Sequence, residues 1–306
     1  MSTIPSAAGA SGALSPFAET LVPGLAARRL ASGAFADHDG GGASAEATAW
    51  TAIAGRGDAL GDGAAAALVA LQAASGALST SPLHPGTDWP TSLAILAWRG
   101  DRRHDAARER AVDYLLAHAG DTFPSRPDGP IRVDSSIPGW AYVERTFSWV
   151  EPTAFALLAL RAVGRGDHPR VRDGIRLLLD RQMTSGGWNY GNPVAFGQEL
   201  LPTPEATGVA LAALAGGAPR EAVERSLARL GHELLPAVRT PYALVWGLLG
   251  LVAWNEPPAD APAWLAESAT RESRYGAYST SERALLLIAA HALAGRPPWP
   301  TSRSAR

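Results

Sequence analysis

Glu151-Pro152-Thr153-Ala154-Phe155 opens a run that continues Ala156-Leu157-Leu158-Ala159-Leu160. The run is apolar on every side of a helix, so it predicts a helix with no face in water. Proline in its first turn costs nothing, because the N–H that proline lacks has no partner there. The same signature recurs along the chain. It stands at Glu46-Ala-Thr48-Ala-Trp50, Trp89-Pro-Thr91-Ser-Leu93 and Glu205-Ala-Thr207-Gly-Val209, with looser copies at Pro241-Tyr242-Ala-Leu244 and Glu282-Arg-Ala284-Leu285. Aligned on Thr48, Thr91, Thr153, Thr207, Tyr242 and Ala284, the copies are 43, 62, 54, 35 and 42 residues apart. A mean of about 47 is the span of a two-helix repeat.

The segments between these runs are of another kind. In Val171–Arg181, Val171, Ile175, Leu178 and Leu179 form one stripe, opposite Arg172, Arg176 and Asp180. Glu221–Leu230 and Ala107–Ala117 are striped in the same way. A striped helix keeps one face in water. Six alternations of apolar and striped helices predict an inner and an outer ring, an all-α (α/α)6 toroid, with an open superhelix as the alternative. Ring closure also removes the end faces that a solenoid must cap. Inner helices are expected to start near 47, 90, 152, 205, 241 and 283, in one domain over residues 16–295. Residues 1–15 and 296–306 read as disordered tails. Ser44 and Thr203 suit N-caps, and Gly164 and Gly216 suit positions just past helix ends.

Composition excludes several chemistries. With 306 residues and 46% hydrophobic content a large core is affordable. The formal charge of −2, with all 27 basic residues arginine, leaves no footprint for nucleic acid. There is no cysteine, hence no disulfide, thiol nucleophile or thiolate metal site. The seven histidines have no metal-ligand spacing, so neither metal nor cofactor is expected. No apolar run reaches the length of a transmembrane helix. A cytoplasmic location is expected by default, with peripheral membrane contact left open.

Gln182-Met-Thr-Ser-Gly186-Gly-Trp188 carries a Gln-x3-Gly-x-Trp pattern, with degenerate copies at Arg29-x3-Gly33-x-Phe35 and Gln72-x3-Gly76-x-Leu78. This periodic set resembles the QW motif of the squalene cyclase and prenyltransferase repeat family, over about residues 20–295. The resemblance implies a single α/α toroid in which Gln182, Gly186 and Trp188 tie neighbouring repeats together. It further implies a terpenoid cyclase or prenyltransferase type of activity on an apolar isoprenoid held in the central barrel. The family's proton donor falls on Glu151, here with Trp149 and Pro152 where neighbouring acids would stand. Glu46, Glu205 and Glu282 occupy the same place in other repeats, where an acid also steadies a helix N-terminus.

Residues 120–148 form a long stretch without helical period, with Phe123, Arg132, Trp140, Tyr142 and Arg145 as features of a lid. A second loop runs from Asn189 to Thr203. Both feed inner-helix N-termini, so a mouth is expected there, lined by Trp140, Tyr142, Arg145, Trp149 and Tyr190. Trp50, Trp98, Phe155 and Trp246 are the candidates for the cavity wall. Two readings compete with the isoprenoid one. The first is a non-catalytic repeat module that binds a lipid or a protein partner. The second is an (α/α)6 carbohydrate enzyme, disfavoured because the apolar inner ring reads as lacking a carboxylate pair.

Overall fold

The computed structural model describes residues 7–81, 83–125 and 132–300. In chain order its helices are α1 (Ala7–Ala26), α2 (Ala45–Ala54), α3 (Ala59–Leu71), α4 (Pro90–Trp98), α5 (Asp105–Ala117), α6 (Val150–Ala162), α7 (Pro169–Asp180), α8 (Pro204–Leu214), α9 (Glu224–Arg229), α10 (Pro241–Ala253), α11 (Ala261–Thr270), α12 (Glu272–Tyr275) and α13 (Thr280–Leu293). A π-helical turn, Leu230–Leu234, extends α9. Strand among the described residues is confined to two hairpins of two-residue strands, Phe35–Ala36 with Ala43–Ser44 and Val194–Ala195 with Gln198–Glu199.

The six apolar helices α2, α4, α6, α8, α10 and α13 pack in that order, and α13 returns onto α2. The ring therefore closes. The striped helices lie outside it, and nearly every residue of an inner helix is buried. Ser44 and Thr203 cap α2 and α8 as expected, and Gly164 and Gly216 take positive φ just past α6 and α8.

The sixth pair is assembled from both ends of the chain. Helix α1, first in sequence, packs against α13, last in sequence. Thr280 N and Oγ1 donate to Asp37 O and Ala36 O at 2.8 and 2.6 Å, and Ser281 Oγ donates to Asp37 Oδ1 at 2.7 Å. Helix already begins at Ala7, within the stretch expected as a tail; alanine is the strongest helix former. At the other end Trp299 is buried and stacks on Trp246, with centroids 5.8 Å apart and planes 12° apart. Residues 1–6 and 301–306 of the expected tails lie outside the described residues.

One hydrogen bond recurs through the ring. Backbone N–H groups of Phe35, Leu78, Trp140 and Trp188 donate to Thr48, Thr91, Thr153 and Thr207 Oγ1 at 2.9, 2.8, 3.1 and 3.0 Å. All four threonines are fully buried. The wedge residue thus hangs from the first turns of the next inner helix. Gln182 Nε2 reaches Ser226 Oγ on α9 at 2.8 Å, and Gln72 Nε2 reaches Ala107 O on α5 at 2.8 Å. Both bonds run to the next outer helix.

Helices α8 and α10 approach more closely than side chains would permit. A Cβ built on Gly208 would lie 2.1 Å from Trp246 O, and one on Gly250 would lie 2.6 Å from Gly208 O. Backbone faces backbone, so Gly208→Ala has no side chain to push aside. We expect it to cost about 3 kcal/mol, the upper end for overpacking. Gly166→Ala, whose Cβ would meet only Arg161 Cγ at 3.6 Å, is the control. Urea unfolding of the two variants checks this; equal midpoints would contradict the close crossing.

Candidate functional site

Three alternate inner helices supply the barrel axis, each through residues four apart and so on one face. Glu46 and Trp50 come from α2, Glu151 and Phe155 from α6, Tyr242 and Trp246 from α10. The lower members form an aromatic layer. Trp50, Phe155 and Trp246 meet with centroids 5.3–6.0 Å apart and are at most 1% exposed. Trp89, ahead of α4, stacks on Phe155 at 5.8 Å. The axis is therefore occupied at this level. The indole N–H groups of Trp50 and Trp246 are buried and meet no acceptor among the described residues.

Above this floor sit the carboxyls. Glu151 is 8% exposed, and burial raises its pKa to about 6, although the hydroxyls of Tyr242 and Tyr142 pull it back down. Glu46 is raised to about 7 by burial first, then by the charges of Asp37 and Glu151. Its carboxyl approaches the Trp50 indole N–H without reaching hydrogen-bond geometry. Burial and the facing Glu151 push the phenols of Tyr142 and Tyr242 upward, so both remain protonated donors. Glu205 adjoins the group and accepts from Tyr190 Oη at 3.0 Å. The inner ring thus does carry a carboxyl pair, which the apolar reading of the sequence did not anticipate.

The four repeated glutamates are not equivalent. Glu282 is the third residue in from its N-cap, Ser279, and closes a capping box with it. Glu46, Glu151 and Glu205 are second in from Ser44, Trp149 and Thr203. One residue turns a side chain by roughly 100° around a helix, which separates Glu282 from the other three.

The other expected residues divide. Tyr142 joins the carboxyls, and Trp149 borders it at 6.5 Å with Phe147 behind at 4.7 Å. Trp98, Trp140 and Trp188 face away from the axis: their indoles donate to Ala65 O, Leu115 O and Leu178 O on outer helices α3, α5 and α7. Trp140, expected at the mouth, is a repeat wedge like Trp188. Arg145 is exposed at φ 59°, Arg132 and Phe123 are exposed, and none of the three touches the carboxyl group. The sequence reading used Glu46, Tyr242 and Trp89 only to set the repeat register, and it placed Trp299 in a tail. The spacing of four shared by Glu46–Trp50, Glu151–Phe155 and Tyr242–Trp246 is the signal that links them.

Eight of the ten exposed large apolar side chains lie in the loops that lead to the mouth: Leu83, Phe123, Val143, Phe147, Tyr190, Phe196, Leu200 and Leu201. The rim is thus apolar where water would favour polar groups. No described helix is long and apolar enough to cross a membrane, and no described group of three or more His, Asp or Glu could hold a metal ion.

Both carboxyls bind protons more tightly in the folded chain than at the ordinary value of 4.5. Their stabilising contribution is complete below that value and is lost as pH rises through 6 and then 7. Melting midpoints should therefore fall between about pH 5 and pH 8. Glu46→Gln should melt higher at pH 8 and show a flatter profile. A variant profile parallel to that of the parent would contradict the assignment.

No protein family of known sequence signature matches the chain, and no curated protein matches it. Solved structures do. A type II terpene cyclase from Scytonema, in complex with geranylgeranyl dihydroxybenzoate, superposes with a TM-score of 0.62 at 14% identity, over 94% of this chain and 99% of that one. An ent-copalyl diphosphate synthase from Streptomyces platensis gives 0.51 at 21% identity, over 82% of this chain and 50% of that one. An inactive variant of an α-1,6-mannanase from Salegentibacter sp. HEL1_6, in complex with α-1,6-mannotriose, gives 0.56 at 12% identity, over 90% and 98%. At such identities the likeness is one of fold, a terpene cyclase-like α/α toroid, and that fold also carries sugar chemistry.

Proposed function

We propose that this chain is an isoprenoid-handling protein of the terpenoid cyclase type, with Glu46 and Glu151 as its proton-transfer pair. The observation that carries the reading is the pair itself, the buried Glu151 and the half-buried Glu46, both raised toward neutrality above the layer of Trp50, Phe155 and Trp246. Burial raises both carboxyls, so near neutral pH the pair shares a proton. The acid O–H gives its proton to an alkene carbon or an epoxide oxygen of the substrate. The resulting cation is relayed by ring closure, and the carboxylate takes a proton back at the end. Aromatic faces below stabilise the passing positive charge. An acid with pKa near 7 is a mild donor, so the substrates it suits are those that protonate easily, an epoxide or a highly substituted alkene.

The apolar rim supports the same reading, because it would let the mouth draw a hydrocarbon chain from a lipid surface. The non-catalytic module draws support from the filled axis, which restricts any ligand to the mouth. Incubation with linear isoprenoid diphosphates and an isoprenoid epoxide, followed by mass analysis of extracts, tests the choice. Cyclised product supports the proposal. Recovery of unchanged ligand that nevertheless binds favours the module, and hydrolysis of mannan oligosaccharides overturns both.

A further inference from the structure

The end of the barrel opposite Glu46 and Glu151 holds a cavity of about 170 Å³. It lies among the C-terminal ends of α2, α4 and α13 and the segment that follows α13. Apolar walls come from Ile53 and Ile288, and the polar lining is Arg56, Arg99, His291 and Arg296. Three guanidiniums and an imidazole share this space, and no lining residue is a carboxylate.

These cations differ in what already holds them. Arg56 is engaged: Nη1 donates to Arg99 O at 2.7 Å and Nη2 to Leu96 O at 2.5 Å, where it caps the end of α4. Those bonds also neutralise the carbonyls that would otherwise repel an anion there. The Arg99 side chain makes no hydrogen bond or ion pair among the described residues, and its Nε is buried without an acceptor. Burial and the neighbouring Arg56 charge hold its pKa down to about 10. Arg296 stands close enough for its charge to depress His291, an effect second to burial. The nearest acids are committed elsewhere. Asp101 accepts three hydrogen bonds of 2.7–3.0 Å from the Arg103 side chain, and Asp58 Oδ1 caps α3 by accepting from Gly61 N at 2.9 Å. A buried Nε–H with no acceptor is costly unless something fills that role. The space far exceeds the roughly 15 Å³ that one water needs.

We propose that this cavity is a binding site for a phosphate-type oxyanion, held between Arg99 and Arg296. Guanidinium forks suit tetrahedral oxyanions, which accept paired N–H groups. The site has a structural consequence of its own. Arg296-Pro297-Pro298 leads directly into Trp299, the residue stacked beneath Trp246 on the axis. An anion that clamps Arg296 to Arg99 therefore fixes the segment that props the aromatic layer from below. This holds whether or not the mouth performs proton transfer.

Thermal melts in inorganic phosphate and inorganic diphosphate, each against sodium chloride of equal ionic strength, test the site, with glycerol phosphate as the organic phosphoryl source. The expected result is a saturable rise in midpoint of several degrees with at least one of the three. Arg99→Gln and Arg296→Gln should remove the saturable rise, while Arg172→Gln, on the outer face of α7, should keep it. Isothermal titration with the same anions should show one site per chain in the parent and none in either cavity variant. Arg296 is exposed, so Arg296→Gln carries the test if Arg99→Gln does not fold. A shift that only tracks ionic strength, or an undiminished saturable shift in Arg296→Gln, overturns the proposal.

Discussion

Trp188→Ala is expected to lower stability by about 3–5 kcal/mol, the usual cost of truncating a fully buried aromatic. Three bonds converge on this residue. Its backbone N–H donates to Thr207 Oγ1 at 3.0 Å, its indole donates to Leu178 O at 2.6 Å, and its carbonyl accepts from Thr203 N at 2.8 Å. Truncation leaves Leu178 O without its indole donor and a cavity between α7 and α8. Trp140, hung from Thr153 and bonded to Leu115 O at 2.8 Å, fills the same role one repeat earlier. Trp140→Ala should therefore cost a similar amount. A fall in melting midpoint on the order of 10 °C in both variants is the expected reading. An unchanged midpoint for Trp188→Ala contradicts the wedge. A normal midpoint with lost ligand binding for Trp140→Ala would return that residue to the mouth.

Glu151→Gln and Glu46→Gln should each lower turnover of an isoprenoid substrate by roughly 10²–10⁴-fold, the range of a positioned proton donor or acceptor. Glutamine keeps the shape of either carboxyl and one acceptor oxygen but cannot transfer a proton. Near neutral pH the melting temperature of both variants should hold or rise, because the charge being removed is poorly solvated. Glu205→Gln separates a catalytic from a capping role. Glu205 is also second in from its N-cap, and it is bonded by Tyr190 Oη at 3.0 Å. Its variant should retain most of the activity. If all three variants lose little stability, within about 1 kcal/mol, and turn over alike, the carboxyls only steady their helices. Activity in the parent should decline as pH rises through 6 to 7, as the last proton of the pair is lost.

The ring was legible because each inner helix must be apolar all round, and that requirement repeats. Helices expected at 90 and 241 begin at Pro90 and Pro241. The start expected at 283 lies at Thr280, where Ser279 and Glu282 form a cap that alignment on Ala284 displaced. Trp140 was misplaced for a related reason. Its repeat has Pro138-Gly139-Trp140 in place of Gly-x-Trp, so the spaced glycine that marks the other wedges is absent there. A Cβ on Gly139 would meet Thr153 Oγ1 at 2.7 Å, much as one on Gly187 would meet Thr207 Oγ1 at 3.0 Å. In the other three repeats a glycine at positive φ stands two residues before the wedge, at Gly33, Gly76 and Gly186, while Ala34 and Ala77 occupy the position next to it; the third repeat lacks the spaced glycine. The carboxyl pair was hidden by arithmetic of another kind. Glu46 and Glu151 are 105 positions apart, on helices separated by α4, and only closure brings them to one axis. Trp299 was concealed by its proline-rich surroundings, which read as a tail.

The clasp of Thr280 and Ser281 on Ala36 and Asp37 joins residues 244 apart. A ribosome releases the Asp37 side of this joint long before the Thr280 side exists. Through most of translation the nascent chain therefore carries an open crescent, with the apolar flank of α2 and the inner face of α1 uncovered. Pairing one repeat after another lengthens the crescent but cannot hide those two surfaces; only the emergence of α13 does. Chains stalled before α13 should thus be retained by chaperones or aggregate, and they should not persist as shorter folded rings.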